Sequence, residues 1–334
     1  MTPNVPELKL ISGSEVSEIA TAPRTPDAHR ALLGRFEALN AVQLGGAASM
    51  QRLPAAFTVL AWNLERCLFP EDTAAHMAGI APQIVLLSEM DHGMARTKQR
   101  HTTADVARCL GMTYAFGVEF FEMDLGSEIE RAFCDDDFNA RGWHGNAILS
   151  AVPFEKATMI RLDDHGYWFV PEFGGDRNQP RVGGRNAIAA VVLGADGPIC
   201  VVSTHLESNA GSAHRAEQFD RLMDAVDAFA PGLPVIIGGD LNTGNHMPPN
   251  YDWQDEALFQ RAEKRGYEWS FTAEGMTTRP SLLTQHPDRQ MKLDWLCGRD
   301  MTCVATGILP SLDATGRPLS DHDAVVARVS AGPA

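Results

Sequence analysis

Apolar runs recur along the chain, and four of them lead directly into polar residues. The runs occupy residues 58–62, 84–88, 199–204 and 234–237, and the polar residues that follow are Asn63, Glu89, His205 and, after two glycines, Asp240 with Asn242. An unbroken apolar run is typical of a buried strand, and the first residues beyond such a strand lie where ligands can reach them. The pattern therefore predicts four buried strands that each present an acid, an amide or an imidazole at the carboxyl end.

The C-terminal part of the chain adds a second group of such residues. Asp294 lies inside the strand predicted over residues 292–296, while Asp321 and His322 directly precede the strand predicted over residues 324–329. A single polar residue at a strand end is most often a turn former or a helix cap. As a set, however, these side chains supply the oxygen ligands that Mg²⁺ prefers and a His–Asp pairing that can take a proton from water.

Helical spacing appears between the predicted strands. Residues 213–230 carry apolar side chains at helical intervals and stop at a Pro-Gly pair, and residues 102–110 stop at Gly111. Residues 194–197 are typical of a hairpin turn. Strands that alternate with helices but also form hairpins predict an α/β fold with mixed sheets.

Length and composition favour one large domain. The chain has 334 residues, of which 44% are hydrophobic, and this is enough to bury a sizeable core. The first 55 residues differ from the rest because they combine Thr, Pro, Ser and Gly with one candidate helix over residues 27–39. We predict an N-terminal arm or accessory helix over residues 1–55 and a catalytic domain over residues 56–334.

Seven short motifs occur in a characteristic order between residues 57 and 329. They are Trp62-Asn63, Ser88-Glu89, the segment 145–150, the segment 203–206, the segment 239–242, the segment 293–295 and the segment 320–322. In these motifs the chain resembles the endonuclease/exonuclease/phosphatase superfamily, which includes apurinic endonucleases, deoxyribonucleases and neutral sphingomyelinases. The resemblance implies a four-layer α/β/β/α sandwich with two mixed sheets and a site at the strand ends.

The resemblance also implies roles around a metal ion, which would be Mg²⁺ or Mn²⁺. Asn63 and Glu89 would bind the metal, with Glu89 as the principal ligand. Asp240 would position or deprotonate the attacking water, and Asn242 would hold that water or a phosphate oxygen. Asp321 would act as a metal-side or orienting carboxylate. Phosphoryl transfer depends on positioning and charge neutralisation, so this scheme needs no nucleophilic serine or cysteine.

The remaining roles concern the phosphate group. The resemblance implies that His205 donates to a non-bridging phosphate oxygen, and that Asp294 orients His322 as the second part of the acid–base machinery. Arg185 starts a strand predicted to pair with the strand of His205, so it is a candidate for substrate binding, with a solvated strand-entry arginine as the alternative. Asn146 is a further candidate for phosphate contact, with a structural turn role as the alternative.

Charge and loop composition bear on the substrate. The net charge of −15 disfavours an extended grip on a phosphate backbone, which needs clustered Lys and Arg. We therefore predict a phosphodiesterase that acts on a small or lipid-derived phosphoester. A nuclease and a catalytically silent binding protein remain as alternatives, although a binding role would not require the complete set of polar residues.

Three long connections are expected to shape the pocket: residues 122–143, 163–184 and 243–291. The first is acidic and is most simply a solvated face, with a second cation site as the alternative. The second holds three successive aromatic residues, 167–169, together with Arg177 and Arg181, and Arg185 follows it directly. These aromatics could stack on a base or ring, although packing is their commoner use.

Location follows from what the sequence lacks. The N-terminal residues show no charged segment followed by an apolar core, and no run of 18 apolar residues occurs. The six cysteines have no paired spacing, which favours reduced thiols over disulfides or a zinc site. We expect a cytoplasmic protein, and the sequence does not indicate its oligomeric state.

Overall fold

Two β-sheets lie face to face in this computed structural model, which describes residues 2–175, 180–247, 252–284 and 290–331. The strands are β1 Asn4–Val5, β2 Val42–Gly46, β3 Ala56–Arg66, β4 Ile84–His92, β5 Thr113–Glu122, β6 Trp143–Ser150, β7 Phe154–Arg161, β8 Arg181–Gly183, β9 Asn186–Gly194, β10 Gly197–His205, β11 Val235–Asp240, β12 Asp294–Arg299, β13 Met301–Leu309 and β14 Ala324–Ala331. The helices are α1 Gly13–Thr21, α2 Pro26–Arg35, α3 Pro70–Ala78, α4 Thr102–Leu110, α5 Glu128–Arg131, α6 Ser212–Phe229 and α7 Ala257–Glu263. Arg177 lies outside the described residues.

Both sheets are mixed, as predicted. The first runs in the order β1-β2-β5-β6-β4-β3-β14-β13, with β8 beside β5, and the second runs β12-β11-β10-β9-β7. In the first sheet β3 and β4 are parallel, and in the second β10 and β11 are parallel, whereas most of the other neighbours are antiparallel. Each sheet thus has a long parallel pair whose carboxyl ends meet at the same edge, and the two-residue strand β1 forms a further parallel pair with β2 in the first sheet.

Three apolar layers hold the sandwich together. Val59, Ile148 and Ile236 belong to the layer between the two sheets, to which all the strands except β1 and β8 contribute residues. Trp62 and Leu87 face the opposite side of the first sheet, which is covered by helices α1 to α4. The outer side of the second sheet is covered by α6 and α7, and the apolar residues spaced along α6 pack there. The four-layer α/β/β/α architecture is therefore confirmed.

The predicted helices agree closely with those observed. Helix α6 spans Ser212–Phe229, and α4 ends at Leu110, where Gly111 takes a left-handed backbone conformation with φ of 65°. The candidate helix over residues 27–39 is shorter than predicted, because α2 ends at Arg35 and a separate 3₁₀ turn follows over Glu37–Asn40.

Residues 2–55 pack on the same core as the rest of the chain. Ile19 of α1 and Leu32 of α2 are buried in the apolar layer over the first sheet, and β1 and β2 extend that sheet beside β5. The division at residue 55 stays a prediction. Among the described residues, no helix combines the length and the apolar character that crossing a bilayer requires.

Two strands continue past the polar residues at which they were expected to end. Strand β3 runs on to Arg66 and β4 to His92, and the pairing register shifts between Asn63 and Arg66 and between Leu87 and Met90. Such irregularities insert unpaired residues and re-aim side chains. Glu89, at the centre of the second shift, has a left-handed φ of 59°.

Two stacked histidines, His92 at the end of β4 and His101 directly before α4, predict an acid-sensitive fold. The ring centroids of His92 and His101 lie 3.8 Å apart, and aromatic side chains surround both rings. Burial lowers the pKa of His92 to about 2 and the pKa of His101 to about 3. The unfolded chain binds protons at these sites below about pH 6.5, so stability should fall as the pH drops from there. We expect the His101→Phe variant to lose less stability than the wild type between pH 7 and pH 4. The measurement is the melting temperature of each protein as a function of pH. His246→Ala changes an exposed histidine and serves as the control. Equal pH slopes in wild type and His101→Phe would contradict this explanation.

Candidate active site

A cleft of about 160 Å³ opens where the parallel strand ends of the two sheets meet. In the second sheet, strand register places three of the predicted residues side by side, because His205 pairs with Asp240 and Asp240 pairs with Asp294. Residues from both sheets line the cleft: Arg66, Glu89, Phe120, His144, Trp168, Arg181, Arg185, His205, Ser208, Asp240, Asn242, Asp321 and His322. Seven of the ten predicted site residues are in this lining.

Asp294 and His322 form a buried pair at the floor of the cleft. His322 Nδ1 lies 2.7 Å from Asp294 Oδ2, and Trp62 Nε1 donates to the His322 carbonyl at 2.7 Å. The other ring nitrogen, Nε2, faces the cleft at 3.8 Å from both Asp240 Oδ2 and Asp321 Oδ1. Asp294 thus fixes the orientation of the imidazole and leaves Nε2 facing the cleft, and the acid–base role that the resemblance implies for this pair stays a prediction.

The charge of this pair follows from its surroundings. Burial opposes a positive charge on His322, but the carboxylates of Asp294, Asp321 and Asp240 more than offset it and hold the pKa of His322 well above its ordinary value. Burial raises the pKa of Asp294 to about 6, against the attraction of His322. The pair favours a protonated His322, which suits a donor to a phosphate oxygen.

Asp240 lies at the centre of the site. Its Oδ2 accepts from Asn63 Nδ2 at 3.1 Å and lies 3.6 Å from His205 Nε2, while its Oδ1 accepts from the backbone N–H of Asn242 at 2.8 Å. Asn242 has a left-handed φ of 50° and donates its side-chain amide to Leu206 O at 3.0 Å. A left-handed backbone conformation is strained in a non-glycine residue and persists only where neighbouring contacts hold the residue in place. Glu89 has the same left-handed conformation.

Asn63 and Glu89 lie on adjacent strands and contact each other. Asn63 Nδ2 is 3.2 Å from Glu89 Oε1, and Asn63 Oδ1 accepts from the Glu65 N–H at 3.0 Å. Arg66 forms an ion pair with Glu89 and a second with Glu130 at 3.1 Å. Burial opposes the charge of Glu89, but Arg66 and the neighbouring histidines hold the pKa of this carboxyl well below its ordinary value.

His205 belongs to a second charged cluster on the opposite side of Asp240. Arg185 Nη1 lies 2.9 Å from His205 Nε2 and 2.9 Å from Glu119 Oε1, and Arg185 Nε lies 3.3 Å from Glu207 Oε2. Burial and Arg185 oppose a charge on His205, but Glu119 and Asp240 raise its pKa above the ordinary value. Arg185 therefore faces the site rather than solvent and is 4% exposed.

Asn146 lies apart from the cleft lining. It is fully buried on β6. Its Nδ2 donates to the backbone oxygen of Asn186 at 3.1 Å and to the side-chain oxygen of Asn186 at 2.8 Å. These contacts tie the two sheets together behind the site. A substrate-binding role for Asn146 stays a prediction.

Several residues of the site escaped the sequence analysis. Arg66, Glu119 and His144 contact or line the cleft, and His144 Nδ1 lies 2.9 Å from Asp91 Oδ1. The available signal was a charged or imidazole side chain inside a strand that is otherwise apolar, as for Glu119 in β5 and His144 in β6. Such residues are rarely buried unless they are paired.

The acidic connection over residues 122–143 is only partly a solvated face. Arg96 is fully buried and pairs with Asp91, with Glu122 at 2.8 Å and with Glu130 at 3.0 Å. These pairs neutralise two of the acids that the sequence analysis assigned to solvent, because burial of a carboxylate requires a partner. Other acids of this connection do form exposed ion pairs, as Asp135 does with Lys98.

The donor set of the cleft fits a hard divalent cation. Ligand atoms of Asp240, Asp294 and His322 lie within 4.8 Å of one another. The carboxylate of Glu89 and the amide of Asn63 adjoin them, and the amide would turn its oxygen toward a bound cation by giving up the hydrogen bond from the Glu65 N–H. Carboxylate and amide oxygens are the ligands that Mg²⁺ and Mn²⁺ accept.

A four-layer sandwich that carries this donor set at its paired strand ends defines the class of metal-dependent phosphoester hydrolases. The family model described as "Endonuclease/Exonuclease/phosphatase family" matches residues 60–322, and the chain belongs to this family. Its members are generally metal-dependent phosphoester hydrolases, among them nucleases, phosphodiesterases and phosphatases. A comparison with curated proteins gives no match.

Solved structures share the fold at low sequence identity. An endonuclease/exonuclease/phosphatase from Beutenbergia cavernae is 22% identical, with a TM-score of 0.60, over 84% of this chain and 72% of that chain. The human Nocturnin catalytic domain with bound sulfate is 17% identical, with a TM-score of 0.55, over 86% and 97%. Truncated Caenorhabditis elegans TDP2 is 18% identical, with a TM-score of 0.50, over 83% and 98%. At these identities the similarity shows the fold alone.

Proposed function

We propose that the protein is a phosphodiesterase that hydrolyses a small or lipid-derived phosphoester with Mg²⁺ or Mn²⁺. The observation that carries this proposal is the position of Asp240 Oδ2, which lies 3.6 Å from His205 Nε2, 3.8 Å from His322 Nε2 and 3.1 Å from Asn63 Nδ2. One carboxylate oxygen thus lies between two imidazoles and beside the proposed metal ligands. A reacting phosphate can meet a base, two donors and a cation in a single small cleft.

Glu89 and Asn63 are the proposed ligands of the cation, with Asp321 nearby at the rim. When bound, the cation polarises a phosphoryl oxygen and neutralises developing charge. Glu89 is suited to this role because its lowered pKa keeps it ionised. Arg66 neutralises Glu89 in the structure and also holds Glu130, so a cation at Glu89 would leave Arg66 with a partner.

Asp240 is the proposed base for the attacking water, since its Oδ2 faces the cleft between the imidazoles. His205 and His322 both have raised pKa values and therefore favour the charged, donating form. Each would donate to phosphate oxygens as negative charge builds there. Asn242 is proposed to hold the water or a phosphate oxygen, and its backbone N–H already fixes Asp240.

The charge balance of the cleft supports a small substrate. Three arginines line it, and each is paired with carboxylates: Arg66 with Glu89 and Glu130, Arg181 with Glu122, and Arg185 with Glu119 and Glu207. Cations that are already neutralised contribute little to a grip on several phosphates. The cleft volume of about 160 Å³ accommodates one phosphate with a modest substituent.

A nuclease is the second candidate, and one observation favours it. The Trp168 ring lines the cleft, and it lies 5.0 Å from the Arg181 guanidinium. An aromatic face beside a cation can stack on a nucleobase. The same ring can also contact an apolar substituent of a small diester.

Salt dependence separates the two candidates. A nuclease that engages several phosphates releases counterions, so its affinity should fall steeply with salt on a log–log plot. We expect instead that KM for bis-para-nitrophenyl phosphate changes only weakly with NaCl at fixed free Mg²⁺, and that duplex DNA is cut poorly. Steady-state kinetics over a salt series measures both. Rapid cleavage of duplex DNA with steep salt sensitivity would favour the nuclease.

The proposal as a whole is tested with a substrate panel. The panel contains bis-para-nitrophenyl phosphate, phospholipids, RNA and single- and double-stranded DNA. We expect hydrolysis of a small or lipid-derived diester that depends on Mg²⁺ or Mn²⁺ and stops with a chelator, and little cleavage of the nucleic acids. Matching monoesters in the panel distinguish a diesterase from a phosphatase. Metal binding without turnover of any ester would point to the silent binding protein.

A further inference from the structure

A second group of metal-binding side chains lies outside the catalytic cleft. Asp163 lies two residues after the end of β7, and His165 lies two residues further along the connection between β7 and β8. His214 lies in the first turn of α6. One ligand atom from each residue lies within 4.8 Å of the others. None of the three is in the cleft lining.

Asp163 is the centre of this group. It is 1% exposed, and each carboxylate oxygen faces a different imidazole: Oδ1 lies 3.1 Å from His165 Nδ1, and Oδ2 lies 2.7 Å from His214 Nε2. The backbone N–H of His165 also donates to Oδ1 at 2.6 Å. The carboxylate is thereby held with both oxygens directed at the ring nitrogens.

The two rings converge without stacking. The centroids of His165 and His214 are 5.5 Å apart and their planes are 80° apart, so the nitrogens can approach one point from different directions. The side chain of His165 is 49% exposed and that of His214 is 16% exposed, which leaves one side open to solvent. Three protein ligands with an open fourth position match a zinc site that keeps a bound water.

We propose that Asp163, His165 and His214 bind a first-row transition metal ion, with Zn²⁺ as the best match. Two neutral imidazoles and one carboxylate suit Zn²⁺, Co²⁺ or Ni²⁺, whereas Mg²⁺ prefers oxygen ligands alone. Binding replaces the hydrogen bonds from the ring nitrogens to Asp163 with bonds to the metal and releases any proton that the nitrogens carry. The site therefore differs from the catalytic centre in its metal preference.

The position of the site connects it to the catalytic cleft. Trp168 lies three residues after His165, lines the cleft and donates Nε1 to Glu207 Oε2 at 3.2 Å. Glu207 in turn pairs with Arg185. A metal held by Asp163, His165 and His214 anchors the start of this connection to α6 and thereby limits the motion of Trp168.

The test uses Co²⁺ as a spectroscopic probe on the full chain with Mg²⁺ in excess. We expect one Co²⁺ per chain with the visible absorption of a four-coordinate N/O site, and displacement of Co²⁺ by Zn²⁺. His165→Ala and His214→Ala should each lower Co²⁺ affinity by about 100-fold or more, because even outer partners of metal ligands account for roughly 10–100-fold. Circular dichroism establishes that each variant is folded. His165 is on the surface, so His165→Ala decides the outcome if His214→Ala does not fold.

Two matched variants locate the bound ion. His246→Ala removes an exposed histidine outside the group, and His322→Ala removes the catalytic imidazole; both should retain the Co²⁺ signal. Loss of the signal in His322→Ala with retention in His165→Ala would place the ion in the catalytic cleft and overturn the proposal. Absence of Co²⁺ and Zn²⁺ binding in the wild type would show that the three residues form only a hydrogen-bonded cluster, which also overturns it. Neither outcome bears on hydrolysis with Mg²⁺, so the proposed function is tested separately.

Discussion

Glu89→Gln is expected to abolish most of the Mg²⁺-dependent hydrolysis while the protein stays folded. The substitution removes the charge and nearly preserves the shape of the side chain that we propose as the principal metal ligand. A bound cation supplies several kcal/mol of transition-state stabilisation, and each 1.4 kcal/mol is about tenfold, so kcat/KM should fall by roughly 10²–10⁴-fold. Calorimetric titration with Mg²⁺ or Mn²⁺ should show a matching loss of affinity.

Glu130→Gln is the matched control for this variant. Glu130 is the other carboxylate that pairs with Arg66, but it does not line the cleft. If Glu89 acts as a metal ligand, Glu130→Gln should keep its metal affinity. Equal losses in the two variants would mean that the effect passes through Arg66. Unchanged metal affinity in Glu89→Gln would remove Glu89 from the metal site.

The His322→Ala and Asp294→Asn variants are expected to be strongly impaired in activity. The losses of activity that the two substitutions cause should be far from additive. Positioned acid–base groups typically contribute about 10²–10⁴-fold. Each single variant should therefore lose activity on that scale, and the double variant should lose little more than the worse single one, because Asp294 acts only through His322. The 2.7 Å contact between His322 Nδ1 and Asp294 Oδ2 is the structural reason.

Kinetics of the four proteins in this cycle provide the measurement, with melting temperatures as the control for folding. Asp294 is fully buried and its Oδ1 has no hydrogen-bond partner among the described residues, so Asp294→Asn is the variant that most needs this control. Losses that multiply in the double variant would show that the two residues act independently.

Sequence patterns predicted the elements that carry the site. Strands β10 and β11 bury both faces, so they appear as unbroken apolar runs, and the polar residues His205 and Asp240 at their ends stand out. Glu89 and Asn63 were found in the same way, although β3 and β4 run past them. The left-handed backbone of Glu89 accompanies a register shift, which depends on the neighbouring strands and has no local sequence signal.

The paired charges around the cleft could not be predicted in the same manner. Glu119, His144 and Arg66 come from different strands, and an isolated charged residue in an apolar segment does not indicate its partner. The pairing of Arg66 with both Glu89 and Glu130 joins residues 23 and 64 positions apart. Contacts of that separation arise only when β3 pairs with β4 and α5 packs beside them.

The sequence by itself determined the family, the order of the elements and most of the residues that the cleft brings together, because local periodicity and short motifs encode them. Only the tertiary structure decided which charges are neutralised, that Asn146 faces Asn186 rather than the cleft, and that Asp163 lies between two histidines. The physical reason is that the pKa and accessibility of a side chain depend on its neighbours in space. Those neighbours are set by strand register and sheet packing across the whole chain.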